Sequence, residues 1–195
     1  MAYSYSQIGQ DIIVDNLLKN KQNGFFLDVG AGWYDNLSNS CFFERHRNWK
    51  GIAIELAEND IHGKPYATGW EMFRKNTIFL KEDATAIIYN EMLEKYNAPK
   101  IIDYLSLDLE PPEISLIALQ NIIKSDYIFK VITYEVDFAR QKATINPSRK
   151  LLAENNYILI KELVYDWDGY HPDNHVDDLW VHKSLYSDLI LKENI

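Results

Sequence analysis

Cysteine is nearly absent: of 195 residues only Cys41 carries a thiol. An intrachain disulfide is therefore impossible, and a zinc site built from cysteines is excluded. Basic charge is also short, with 20 Lys and Arg against 29 Asp and Glu, a net charge of −9. A field of that sign disfavours non-specific binding to DNA, RNA or anionic membrane, so neither nucleic acid nor membrane is expected as a partner. No apolar run approaches the ~20 residues that cross a bilayer. The opening Met1-Ala2-Tyr3-Ser4-Tyr5-Ser6-Gln7 lacks the basic-then-apolar order of a signal peptide. A soluble, cytoplasmic protein is the expectation.

What is present suffices for one domain over 1–195, with 1–24 as a helical N-terminal segment and 25–195 as the core. The most informative stretch is Phe25-Phe26-Leu27-Asp28-Val29-Gly30-Ala31-Gly32, running into Leu37-Ser38-Asn39-Ser40. It reads as a buried strand that ends in an acid, turns on two glycines and opens a helix. A dinucleotide fingerprint has that outline, but it cradles a pyrophosphate on helix amides, and Asp28 would oppose that charge. The third turn glycine is also missing, since Tyr34 stands there. A carboxylate at this tip suits a ligand with an amine or sulfonium, and S-adenosylmethionine (SAM) has both. Glu55 ends a second apolar strand, Lys50-Gly51-Ile52-Ala53-Ile54, where an acid can accept both hydroxyls of a ribose.

Along the chain, Ile12, Ile13, Leu17 and Leu18 mark an amphipathic helix. Asn36 or Ser38 is expected to cap a helix with Leu37, Cys41 and Phe42 on its inner side. His46 reads as a solvated helix-end residue. Tyr66 to Arg74 reads as a short helix and Thr77 to Leu80 as a third strand. A helix from about Thr85 to Tyr96 is expected to bury Ile87, Ile88, Met92 and Leu93. Ile101 to Asp108 is strand four, and Pro111-Pro112-Glu113 opens a helix with Ile114, Ile117, Ala118, Asn121 and Ile122 in period. Val131 to Asp137 is strand five, Pro147 starts a helix through Leu151 and Leu152, Tyr157 to Val164 is strand six, and Leu179 to Val181 strand seven.

Strands alternating with helices predict an α/β fold: a Rossmann-like, doubly wound, seven-stranded, mostly parallel sheet covered on both faces. Asp28, Glu55, Asp83, Asp108 and Glu135 all fall at expected strand ends, which share one edge in such a sheet. Five acids at one edge repel unless something cationic or hydrogen-bonding sits among them.

The chain resembles the FkbM family of SAM-dependent methyltransferases. The resemblance runs from Ser6 to about Val181. Its blocks are Ser6-Gln7-Ile8-Gly9-Gln10-Asp11, then Phe26 to Ala31 with Leu37-Ser38-Asn39 and Phe43-Glu44, then Trp49 to Glu55, and Ile102 to Glu110. It departs from the family at Trp33, Tyr34, Leu56 and Pro111. The resemblance implies a class I methyltransferase fold with SAM as cofactor. The residues it implies for binding are Gln7, Asp28, Gly30, Ala31, Gly32, Ser38, Asn39, Glu55, Asp83, Ala84 and Asp108.

Methyl transfer to a hydroxyl needs a group to take the proton as the bond forms. Asp108 is the first candidate, with Glu110 and Glu135 close behind; capping a helix or holding the cofactor's amine is their alternative use. Asp108, Glu135 and Asp137 are also oxygen ligands suited to Mg²⁺. His171 and His175 with Asp177 and Asp178 suggest a transition metal, although histidines in such a loop more often lie at the surface or contact the acceptor. Tyr165-Asp166-Trp167-Asp168-Gly169-Tyr170-His171 sets aromatic faces beside carboxylates, which suits a sugar. Trp33, Tyr34 and Trp70 extend that surface, so Trp33, Tyr34, Trp167 and His171 are the expected acceptor contacts. The same aromatics would otherwise plug the sheet edge or join a homodimer. The expected activity is O-methylation of a sugar or glycan hydroxyl. Its rivals are a small non-sugar acceptor, a non-catalytic binding module and a nucleotide-dependent oxidoreductase.

Overall fold

The computed structural model describes residues 3–59, 63, 65–66, 69–136, 142–164 and 175–190. Its centre is a seven-stranded sheet: β1 (Phe25–Val29), β2 (Lys50–Ile54), β3 (Thr77–Leu80), β4 (Ile101–Leu107), β5 (Ile128–Glu135), β6 (Tyr157–Val164) and β7 (His175–His182). The strand order is β3-β2-β1-β4-β5-β7-β6. The first five strands are parallel, and β7 runs antiparallel between β5 and β6. This is the doubly wound sheet that the alternation of elements predicts. Among the described residues no helix is long and apolar enough to cross a membrane.

The strands are apolar at nearly every position because both faces are covered. Leu27, Ile52, Leu105 and Ile132 face a core completed by helices α4 (Tyr89–Lys95), α5 (Pro112–Ile123) and α6 (Lys142–Glu154). Phe26, Tyr104 and Val131 face a second core with Val14 and Leu17 of α1 (Gln10–Leu17) and Phe42 and Phe43 of α2 (Cys41–Arg47). Side chains alternate with period two, so Asp28 lies on the second face, two residues beyond Phe26. The register then lines up Ala53, Asp28, Ser106 and Thr133 across four strands. That polar row is buried, and it lies toward the carboxyl ends of the parallel strands.

Several local expectations need correcting. Leu37 is outside α2, at φ 56° and exposed. The N-cap is Ser40 rather than Asn36 or Ser38, although Ser38 Oγ accepts the Cys41 N–H at 3.2 Å, and the helix begins only at Cys41. The helix expected from Thr85 begins at Tyr89, because Asp83 takes both the N–H and hydroxyl of Thr85 and closes a turn there. Ile88 precedes that helix and is exposed, while Ile87 is buried. The short helix α3 spans only Trp70–Phe73. Ile117, counted in the inner period of α5, is exposed. Pro147 sits inside α6 rather than at its start. It lies close enough to the N-terminus that about one ladder bond is lost. Strand seven is eight residues, not three, and a further helix, α7 (Lys183–Ile190), follows it.

Candidate active site

The glycine turn is tied to its neighbours through the backbone. Gly30 and Ala31 donate to the Ile54 carbonyl at 2.9 and 3.1 Å, and Asp108 N–H donates to Val29 at 2.9 Å. Gly30 adopts φ 81°, and a Cβ there would collide with the Asp108 carbonyl oxygen. Both facts demand glycine: the conformation disfavours any side chain, and the β4 tip occupies its space.

Beside this turn lies a cavity of about 590 Å³, the size of a small-molecule site. Gly30, Gly32, Ile54, Glu55 and Tyr66 line one part of it. Leu56, Ala57, Glu82, Asp83, Ala84, Thr85, Asp108, Leu109, Glu110, Ile114 and Ile117 line the rest. The cavity thus collects acids from the tips of β2, β3 and β4, as the shared-edge argument expects. Glu55 accepts N–H bonds from Gly32 at 3.2 Å and Ala57 at 2.8 Å, so it shapes the turn as well as facing the cavity.

Asp28 is only 2% exposed. Burial pushes its carboxyl up to about 6, opposed by the nearby hydroxyls of Ser40 and Ser106 and the positive charge of Arg74. Its Oδ2 has no hydrogen-bond partner among the described residues, and neither has Oδ1 of the buried Asn39. Asn39 donates its amide to Ser106 at 3.0 Å. Two orphaned acceptor oxygens beside one strand tip mark a place for a donor such as an ammonium group, because leaving them unpaired is costly. Ala31 is buried next to the turn.

Asp108 and Glu135 stand at the tips of adjacent strands. Burial raises both carboxyls, and the Asp108 charge raises Glu135 further, with Asp177 and Glu110 adding to it. Two coupled acids disfavour ionising together, so the pair tends to share one proton. Burial also pushes the Cys41 thiol up to about 11, which leaves it unreactive at neutral pH.

Not every expected residue arrives. Gln7 is exposed and does not line the cavity; Gln10 is the buried glutamine of that segment, donating to Asp177 at 2.8 Å. Trp33 packs edge-to-face on Tyr66 at 5.3 Å, which places it beside the cavity, whereas Tyr34 stacks on Phe73 at 5.1 Å. Trp70 offers no surface to a ligand: it is 1% exposed and donates to the Gly32 carbonyl at 3.1 Å. His46 is exposed at its helix end, beside Tyr5.

The described residues contain no group of three or more His, Cys, Asp and Glu side chains able to hold a metal ion. Asp137, the third Mg²⁺ ligand expected, lies outside the described residues, as do Trp167 and His171. Only the backbone of His175 is described. Asp178 is bound by Arg149 at 2.8 Å, which occupies one of the acids proposed for a transition metal.

Sequence patterning missed Tyr66 and Arg74. Tyr66 lines the cavity from a loop without periodic signal. Arg74 is fully buried and donates to Glu44 at 2.7 Å, to the Tyr34 carbonyl at 2.7 Å and to Ser40 at 3.0 Å. The hint available was Glu44, an acid on the inner side of an otherwise aromatic helix start.

This strand order, with its antiparallel seventh strand and a cavity at the carboxyl edge, is the Rossmann-like class I methyltransferase fold. Solved structures agree. One is a TehB-like SAM-dependent methyltransferase from Corynebacterium glutamicum, with TM-score 0.51 and 14% identity over 87% of each chain. Another is the precorrin-6y C5,15-methyltransferase of Geobacter metallireducens, with TM-score 0.52 and 14% identity over 94% of this chain and 92% of that one. A third is M. capricolum TrmK holding S-adenosylhomocysteine, with TM-score 0.55 and 12% identity over 88% of this chain and 67% of that one. No protein-family model matches the sequence, and no curated protein does.

Proposed function

We propose that the protein is a SAM-dependent O-methyltransferase acting on a hydroxyl of a sugar or glycan, with the FkbM family as its relatives. The observation that carries this reading is Asp108, a carboxylate beside the glycine turn that lines the cavity of about 590 Å³, with Glu135 on the adjacent strand.

The residues fit the cofactor. The orphaned oxygens of Asp28 and Asn39 suit its ammonium group, Glu55 its ribose hydroxyls, and the apolar Leu56, Ala84, Ile114 and Ile117 its adenine. SAM supplies an electrophilic methyl on a sulfonium. With SAM bound, Asp108 would take the acceptor hydroxyl's proton as the methyl passes from sulfur to oxygen, leaving a methyl ether and S-adenosylhomocysteine. Glu135, whose carboxyl is raised by burial and by the Asp108 charge, shares a proton with Asp108 and so leaves the pair one negative charge. Positioning of acceptor against methyl supplies much of the remaining rate.

Support for a sugar comes from Tyr66, which lines the cavity as Glu110 does, and from Trp33 packed on Tyr66. The aromatic, acidic segment 165–171 adds to it on sequence grounds.

Two measurements test the reading. Glu55→Ala should weaken S-adenosylhomocysteine about ten- to a hundredfold in calorimetric titration, the loss of a charged hydrogen-bond partner. Unchanged affinity would mean the ribose lies elsewhere. Transfer of labelled methyl from SAM to a panel of saccharides should yield an alkali-stable ether, and transfer only to non-sugar acceptors would remove the sugar claim.

A further inference from the structure

On the side of β3 the cavity wall is a run of four consecutive residues, Glu82 to Thr85. The run lies between β3 and α4 and has no regular structure of its own, so its shape depends on bonds from single side chains. Asp83 closes the turn from within, accepting the Thr85 N–H at 2.8 Å and the Thr85 hydroxyl at 2.7 Å. Ala86 N–H donates to the Asp83 carbonyl at 3.0 Å. The next two carbonyls find partners elsewhere. The hydroxyl of Tyr89, the first residue of α4, donates to the Ala84 carbonyl at 3.0 Å. The side-chain amide of Asn121, in α5, donates to the Thr85 carbonyl at 2.9 Å. Neither Tyr89 nor Asn121 lines the cavity, so both hold the wall from behind.

Helix α5 reaches the cavity directly through Ile114 and Ile117, and Asn121 stands one turn beyond Ile117 on that face. It is a polar residue in the inner period of the helix, where an apolar one would pack without needing a partner. Tyr89 is 2% exposed and Ala84 4%, so water could not readily replace a lost Tyr89 hydroxyl, and a bare Ala84 carbonyl is costly. Burial pushes the Tyr89 phenol far above its ordinary range, so the hydroxyl keeps its proton and donates at any working pH.

We propose that Tyr89 and Asn121 are positioning residues for the nucleoside end of the cofactor: they fix Ala84 and Thr85, and through them the wall against which the base packs. This rests on the placement of the adenine at Ala84, Ile114 and Ile117 under the proposed function. A ligand that meets a wall already in place spends nothing on ordering it. One that must order the wall loses that cost from its affinity.

The test is calorimetric titration of S-adenosylhomocysteine and of adenosine on the wild type, Tyr89→Phe, Asn121→Ala and Asn121→Asp, each checked for a cooperative thermal transition. Tyr89→Phe keeps the ring and removes one hydroxyl. It should weaken both ligands about three- to tenfold, the effect of one hydrogen bond, and Asn121→Ala should do the same. Asn121→Asp keeps the shape of the side chain but sets an acceptor against the Thr85 carbonyl, so it should weaken binding more than Asn121→Ala does. A packing role would rank those two the other way, because Asp fills the space of Asn. Either position alone carries the test should a variant at the other fail to fold. Folded variants that lose thermal stability but keep wild-type affinity overturn the proposal, and so does the reverse ranking at Asn121. A loss seen with S-adenosylhomocysteine but not with adenosine, which carries only base and ribose, overturns it too. If Glu55→Ala weakens S-adenosylhomocysteine and these variants do not, this inference fails while the proposed function stands; a wild type that binds neither ligand overturns both.

Discussion

Asp28 lowers the stability of the free protein at neutral pH. Its carboxyl titrates near 6 in the folded chain, against 3.8 unperturbed. The folded state therefore holds this proton more tightly than the unfolded state does. Its contribution to stability is greatest at low pH and declines as pH rises from about 4 to about 6. Ionising it in the folded chain costs roughly 3 kcal/mol more than in the unfolded one. Asp28→Asn should accordingly stabilise the ligand-free protein by up to about 3 kcal/mol at pH 7.5, with the difference vanishing below about pH 4. Urea unfolding at the two pH values checks this, and a destabilised Asn variant at pH 7.5 would contradict it. Asp108 carries a different burden. Asp108→Asn should lower kcat on the order of a hundredfold or more while altering S-adenosylhomocysteine affinity by less than about threefold. Because both carboxyls of the pair are raised, wild-type kcat should fall with pH already above the ordinary carboxylate range. A variant with near-full turnover would leave Asp108 a structural role only.

Between elements, the site depends on how the strand tips are joined, and the opposite edge depends on one acid. Asp103, near the start of β4, accepts from Phe25 N–H of β1 at 3.0 Å, from Lys21 at 2.5 Å and from Lys130 of β5 at 2.7 Å. It links three strands at their amino ends. Asp103→Asn should cost about 1–3 kcal/mol, since the lysines can reach water but the Phe25 amide cannot easily do so. Chemical denaturation measures it, and a neutral result would mean the lysines supply no net attraction. The elements around these contacts were legible where apolar periodicity was clean, as in β1, β2, β4 and α5. Asp28, Glu55, Asp83 and Asp108 were legible too, because parallel strands must end on one edge. Leu37 and Ile88 were not: each is apolar, but a capping serine in one case and an Asp83 turn in the other decide where the helix starts. Trp70 read as a ligand surface because an aromatic beside a glycine turn looks exposed, whereas its indole N–H is needed by the Gly32 carbonyl. Arg74 was hard to see because, Glu44 apart, its partners are one backbone carbonyl and three hydroxyls that carry no periodic pattern.

At the scale of the molecule, charge limits the range of acceptors. The net charge of −9 combines with acids gathered at the cavity edge, so a polyanionic acceptor would meet repulsion where it must bind. We expect no retardation of tRNA or duplex DNA at physiological salt and micromolar protein, read by gel shift. Binding that weakens steeply with added salt would reveal a basic surface that the overall charge hides.

The strand order also sets a schedule for synthesis. β1 ends at residue 29, but its second neighbour, β4, is complete only at residue 107. At ribosomal speeds of about 5–20 residues per second, roughly 4–16 s separate the two. During that interval β1 has β2 on one side and an open, almost wholly apolar edge on the other, a template for pairing with another nascent chain. The glycine turn cannot settle either, because the Asp108 carbonyl that packs against Gly30 has yet to be made. The half of the sheet that holds the cavity is therefore the half most in need of protection by a chaperone while the chain is being made.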